Sequence, residues 1–135
     1  MTEKFLTAEP EIAQKKKILI VEDSKSTCEV LKAVLEAEGR LVFLARDGVT
    51  GLALARRERP DLILLDLLLP KLNGYEVCAR LKRDNTVRHI PVLIISTIGS
   101  PEGVERAKIC GAKNFIKKPY NLEDLLREIK KLLSE

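Results

Sequence analysis

From Lys17 onward, short apolar runs alternate with stretches in which apolar residues recur every three or four positions. Five runs predict strands: residues 17–22 (Lys-Ile-Leu-Ile-Val-Glu), 41–45 (Leu-Val-Phe-Leu-Ala), 61–65 (Asp-Leu-Ile-Leu-Leu), 91–95 (Pro-Val-Leu-Ile-Ile) and 113–116 (Lys-Asn-Phe-Ile). Three of these are almost unbroken apolar segments, as parallel strands covered on both faces tend to be. The gaps predict helices. Residues 24–38 open with Ser24 as N-cap and stop at Gly39, residues 47–58 open at Asp47 and stop before Pro60, and residues 74–84 follow Asn73-Gly74. Residues 101–110 open with Ser100-Pro101-Glu102 and stop at Gly111. Residues 121–134 open with Asn121 and an acid, Asp124, three positions on; Leu122, Leu125, Leu126, Ile129, Leu132 and Leu133 then form one apolar stripe. Short polar side chains satisfy the free N–H groups of a first turn, proline fits the first helical position, and glycine closes the last turn. Residues 1–14, with Pro10 and no sustained periodicity, read as a tail before a domain over 15–135.

Five strands alternating with five helices, joined by right-handed crossovers, make an α/β chain with one doubly wound (βα)5 parallel sheet. The expected strand order is 2-1-3-4-5, which puts a crevice at the switch point between strands 1 and 3. The strand ends send specific chemistry to that edge: Glu22 and Asp23 after strand 1, Asp66 after strand 3, Ser96 and Thr97 after strand 4, and Lys117-Lys118-Pro119 after strand 5. Each has a plainer reading when taken singly. Glu22-Asp23 suits a helix N-terminus, Asp66 a turn before Pro70, Ser96 a local backbone bond, and Lys118 the open surface. Their joint placement favours a site. Three carboxylates on one edge repel, and a hard divalent cation with oxygen ligands, Mg2+, relieves that repulsion. One carboxylate is then free to act as a nucleophile toward a phosphoryl group. The phosphoryl charge needs the cation, an ammonium and hydroxyl or amide donors around it.

Composition narrows the class. The 135 residues are 45% apolar and 33% charged, which fits one globular domain. No apolar run approaches the roughly 20 residues of a membrane helix, and no secretory signal is visible at the N-terminus, so a cytoplasmic protein without membrane contact is expected. Cys28, Cys78 and Cys110 are odd in number and widely spaced, which suggests neither a disulfide framework nor zinc. Each falls in a predicted helix as a small core or boundary residue. His89, the one histidine, stands in a loop before Pro91. Net charge is +4; Glu3, Glu9 and Glu11 against Lys4 give residues 1–14 a net of −2, leaving +6 on the remainder. The basic residues are scattered and only five aromatics are present, so no direct nucleic-acid binding is expected.

At these strand ends the chain resembles the response-regulator receiver domain of two-component signalling. Glu22-Asp23 matches that family's acidic pair, and the segment from Asp66 through Leu-Leu-Leu-Pro-Lys-Leu-Asn to Gly74 matches its phospho-acceptor stretch. Ser96-Thr97 matches its hydroxyl position, and Gly111-Ala112, Phe115 and Lys118-Pro119-Tyr120 match its last strand and turn. The resemblance covers residues 17–134 and implies a flavodoxin-like fold. It implies that Asp66 is phosphorylated by a histidine kinase or phosphotransfer protein. Asp23, Asp66 and the backbone carbonyl of Leu68 would ligate Mg2+, with Glu22 acting through a metal-bound water. Lys118 would pair with Asp66 at rest and with a phosphoryl oxygen when active, Ser96 would donate its hydroxyl, and Phe115 would turn inward as Ser96 moves. The Lys118-Pro119 bond would be cis. The surface of helix 101–110, strand 113–116 and helix 121–134 would be read by a downstream protein or used for a homodimer. Such a protein is a self-phosphorylating and dephosphorylating switch rather than a conventional enzyme.

Some positions depart from the commonest family pattern. Leu69 replaces a frequent methionine and Glu22 a frequent aspartate; Thr97 stands where a smaller residue is usual, and is expected to crowd the phosphoryl group or reposition the backbone amide. Lys117 reads as a solvated strand-end residue. Leu68 and Ile98, each two residues past a key side chain, border the approach of a hydrolytic water in this fold. Their apolar groups offer that water no hydrogen bond, so slow autodephosphorylation is expected. Two rival classes remain: a receiver that binds partners without phosphorylation, and a phosphohydrolase on the same fold. The intact acid, hydroxyl and lysine set disfavours the first. Leu68, standing where a second acid would be wanted, disfavours the second.

Overall fold

In the computed structural model, which describes residues 15–134, the strands are Lys17–Val21 (β1), Leu41–Ala45 (β2), Leu62–Leu65 (β3), Val92–Ser96 (β4) and Asn114–Lys117 (β5). The helices are Lys25–Ala37 (α1), Gly48–Glu58 (α2), Gly74–Arg83 (α3), Pro101–Ile109 (α4) and Leu122–Leu132 (α5). The tail expected over residues 1–14 lies outside the described residues. All five strands pair in parallel in the order β2-β1-β3-β4-β5. Val21 stands opposite both Ala45 and Leu65, Leu65 opposite Ile94, and Ser96 opposite Lys117. These registers bring the C-terminal ends of β1, β3, β4 and β5 to one edge.

Strand alternation divides the core in two. Leu19, Val21, Ile63, Leu65 and Ile94 pack with side chains of α2, α3 and α4, among them Leu52, Val77, Leu81 and Ala107. Ile18, Ile20, Leu62, Leu64 and Ile95 pack with α1 and α5 through Leu31, Leu35, Leu125 and Ile129. Burying one such side chain fully is worth about 1.5–3 kcal/mol, so β1, β3 and β4 anchor the edge rigidly. The stripe on α5 follows its expected face, with Leu125, Ile129 and Leu133 buried and Leu122 left exposed.

The caps expected at Ser24, Ser100 and Asn121 are observed, and Asp47 and Asn73, expected only to open or precede their helices, are caps as well. Ser24, Asp47, Asn73, Ser100 and Asn121 each accept a backbone N–H of the first turn. Gly39 and Gly111 follow α1 and α4 with positive φ of 86° and 102°. The boundaries shift slightly. β4 continues to Ser96 and β5 to Lys117, because the two residues still pair with each other where hydropathy has already ended. Glu22 lies past the last residue of β1, although its N–H still reaches Ala45 O at 2.9 Å. Cys110 is the C-cap of α4 rather than part of its body. No helix of the described residues is long and apolar enough to cross a membrane.

Candidate functional site

Asp66 is the first residue beyond β3, and its N–H still bonds Val21 O at 3.0 Å, so the sheet fixes its backbone. It is buried, with 8% of its surface exposed. Oδ1 accepts the N–H of Leu68 at 3.1 Å, and Oδ2 accepts from Lys118 Nζ at 3.1 Å. Glu22, 6% exposed, takes the same ammonium on Oε1 at 2.5 Å and the N–H of Ser24 on Oε2 at 3.0 Å. Lys118 is held in turn by its own N–H to Ser96 O at 2.8 Å and precedes a cis bond to Pro119. One ammonium is therefore clasped between two buried carboxylates. Burial alone would depress the Lys118 pKa; the hydrogen bonds to Glu22 and Asp66 and their charge outweigh it and leave the pKa above its ordinary 10.5.

The remaining edge residues surround this clasp. Asp23 is exposed, and its backbone carbonyl accepts from both Nε and Nη2 of Arg46, at 3.0 and 2.9 Å. Ser96 is fully buried, with Oγ accepting the N–H of Ile98 at 3.3 Å. Thr97 is exposed, while Ile98 and Phe115 are half-buried against the α2–α3–α4 side of the core. Leu68 is 56% exposed. Lys117 is exposed as expected, but its stem lies across Gly99, where an added Cβ would stand 2.5 Å from Lys117 Cδ.

Close packing explains the Asn73-Gly74 pair. A Cβ on Gly74 would stand 2.6 Å from Leu67 Cα and closer still to the Asp66 carbonyl oxygen. Gly74 N–H bonds Leu67 O at 3.0 Å while the Asn73 side chain caps α3. Gly48 plays the matching part across the loop, because a Cβ there would meet the Leu72 carbonyl and stand 2.8 Å from Val77 Cγ2. Lys71, at a positive φ of 69°, reaches Asp47 at 3.6 Å. The loop after Asp66 is thus wedged between α2 and α3.

Residues 18–130 match the family model of the response regulator receiver domain. The chain belongs to this family. Over 117 residues the receiver is 38% identical to RpaA of Synechocystis, a DNA-binding dual master transcriptional regulator, an alignment that covers 87% of this chain and 48% of RpaA. Over 118 residues it is 38% identical to PilH of Pseudomonas aeruginosa, covering 87% of this chain and 98% of PilH. The receiver therefore spans about half the length of the first relative and nearly all of the second. Among solved structures, the receiver domain of the sensor histidine kinase PA1611 from Pseudomonas aeruginosa PAO1 superposes with a TM-score of 0.82 at 27% identity, covering 90% of this chain and 99% of that one. That receiver holds a magnesium ion coordinated in its active site cleft.

The donor set of the present receiver suits the same ion. Mg2+ takes oxygen ligands, keeps several waters and needs only one or two carboxylates from protein. Asp23 and Asp66 supply carboxylates at adjoining strand ends. The three acids do not, however, form a ready-made cage. Among the described residues no three acidic, histidine or cysteine side chains converge in that way. Glu22 is turned to Lys118 rather than toward Asp23, because the ammonium is the counter-charge at hand.

The sequence reading named Glu22, Asp23, Asp66, Ser96 and Lys118, and the receiver gathers them at one edge. It did not single out Arg46 or the steric role of Gly48. Arg46 carried no signal, since an arginine past a strand end looks solvated. Gly48 did carry one: Asp47-Gly48 repeats, before α2, the acceptor-glycine pair that Asn73-Gly74 forms before α3.

Proposed function

We propose that this receiver accepts a phosphoryl group on Asp66 from a phosphohistidine of a histidine kinase or phosphotransfer protein, and that the modified form is read by a downstream protein. The observation that carries this reading is the Asp66 carboxylate, buried at the C-terminal end of β3 with an ammonium 3.1 Å from Oδ2. In the transfer an Asp66 carboxylate oxygen forms the new P–O bond, the donor's P–N bond breaks, and its electron pair returns to the imidazole nitrogen. Asp23, Asp66 and the Leu68 carbonyl would hold Mg2+, which supplies charge neutralisation to the phosphoryl oxygens. Glu22 keeps Lys118 in place as Asp66 changes charge, and Lys118 follows the new phosphoryl oxygen. Ser96 moves toward that group and donates its hydroxyl to it. The chain does this to itself and turns over no separate substrate, so it is a switch rather than a conventional enzyme.

The readout face is α4, β5 and α5. A groove of ≈ 390 Å³ lies between α4 and β5, with Ala107 and Phe115 in its lining and Lys108 and Lys117 among its charged residues. Phe115 lines that groove and packs, like Ile98, against the same half of the core, and the Ile98 N–H bonds Ser96 Oγ, which supports coupling between acceptor site and face. A downstream protein or a second copy of the chain docks there, in the cytoplasm, without membrane or direct nucleic-acid contact. The test is incubation with acetyl phosphate, with and without Mg2+, read by intact mass on wild type and Asp66→Ala. A single Mg2+-dependent adduct that the variant lacks is expected. A folded wild type that takes no adduct would replace this reading with a partner-binding module that works without phosphorylation.

A further inference from the structure

Away from the acidic edge, one set of contacts runs from Ser96 to the first turn of α4 and across to α3. Ser96 Oγ accepts the N–H of Ile98 at 3.3 Å. Ile98 lies against Gly103, where an added Cβ would stand 2.8 Å from Ile98 Cγ2. The same Cβ would stand 3.2 Å from the hydroxyl of Tyr75 and 3.2 Å from Ser100 Oγ, so only a glycine fits between Ile98 and Tyr75 without displacing a neighbour. The Tyr75 hydroxyl donates to Gly103 O at 3.2 Å. Tyr75 belongs to α3 and is 8% exposed, while its ring carries the Arg106 guanidinium 4.0 Å from its centroid. Tyr75 therefore grips α4 twice, at Gly103 and one turn later at Arg106.

We propose that Tyr75 is a positioning residue of the switch, clamping the first turn of α4 in the state in which Lys118 is clasped by Glu22 and Asp66. The inference rests on the phospho-acceptor reading above. Movement of Ser96 toward a phosphoryl group drags Ile98, and Ile98 pushes on Gly103. The turn yields only by leaving the Tyr75 hydroxyl. A ligand shifts such an equilibrium by no more than its preference for one state. A contact made in the resting state alone therefore subtracts from the apparent affinity for phosphate. Losing one net hydrogen bond corresponds to about a fivefold change in that equilibrium.

The experiment measures the dissociation constant of beryllofluoride, a phosphoryl mimic, by calorimetry in Mg2+ on the full chain. Tyr75→Phe keeps the ring under Arg106 and removes only the hydroxyl. It should bind beryllofluoride about fivefold more tightly than wild type while its thermal midpoint falls. Arg106→Gln, a surface change that spares the core, should tighten binding in the same direction by about twofold. A purely structural tyrosine would lower the midpoint and leave the affinity unchanged; that result, or weaker binding by Tyr75→Phe, overturns the clamp. Wild type and variants that all fail to bind beryllofluoride would overturn the phospho-acceptor reading, and the clamp with it.

Discussion

Replacing Lys118 by methionine tests the electrostatics of the site most directly. The change keeps an apolar stem and removes the ammonium that Glu22 and Asp66 share at 2.5 and 3.1 Å. Both carboxylate side chains are 9% exposed, so neither regains full hydration when its partner goes. Removing one partner of a buried ion pair costs about 3–5 kcal/mol, because the remaining charge stays buried. Lys118 itself is 22% exposed and partly screened by water, which lowers the expected loss to about 2–3 kcal/mol. With a urea m-value of about 1–3 kcal/mol/M, the unfolding midpoint should fall by about 0.7–3 M. Mg2+ held by Asp23 and Asp66, as proposed above, would supply the missing counter-charge, and a ligand at 100 times its dissociation constant adds about 2.7 kcal/mol. The cation should therefore stabilise Lys118→Met more than wild type and recover most of the loss. The assay is urea unfolding by circular dichroism with and without Mg2+. A loss below about 0.5 kcal/mol, or equal stabilisation of both proteins by Mg2+, would refute the reasoning.

Three further outcomes follow from the same geometry. Leu68→Asn and Ile98→Glu should each shorten the lifetime of the Asp66 adduct by about fivefold, since one hydrogen bond to the attacking water is worth about 1 kcal/mol; adduct decay followed by intact mass would show it, and unchanged decay sinks the idea. Gly74→Ala should cost about 1–3 kcal/mol and slow phosphorylation, because its methyl group would press on the backbone of Asp66 and Leu67; a urea midpoint equal to wild type counts against it. The raised pKa of Lys118 fixes a sign for alkaline unfolding: its stabilising contribution is complete below pH 10.5 and is lost as pH rises through the higher folded value. Wild type should lose more stability than Lys118→Met across that window, as alkaline urea titrations of both would reveal.

The fold was legible because buried parallel strands leave little choice of residue. The runs at Ile18–Val21, Leu62–Leu65 and Val92–Ile95 are apolar on both faces and are almost fully buried. The helix starts were legible because each cap is a local bond between one side chain and a backbone three residues on. Strand ends were less so, because pairing rather than hydropathy decides them, as Ser96 with Lys117 shows. Asp66, Glu22 and Lys118 became a site only once the strand order put them on one edge. Glu22 as a partner of Lys118 could not be read, since a side chain's choice between an ammonium and a hydrated cation depends on distances of a few ångströms. The grip of Tyr75 on Gly103 was equally hidden: the two are 28 residues apart, on different helices, and neither residue type announces the other.

Glu22 and Lys118 are separated by 96 positions, so the acceptor edge joins the first strand to the last. Closing a loop of that length carries an entropic cost, and contacts of such long range slow folding. During synthesis β1 and β3 emerge well before β5, which leaves Glu22 and Asp66 without their ammonium until the C-terminal part of the chain docks. The clasp of Lys118 between Glu22 and Asp66 therefore closes only once β5 has joined the sheet.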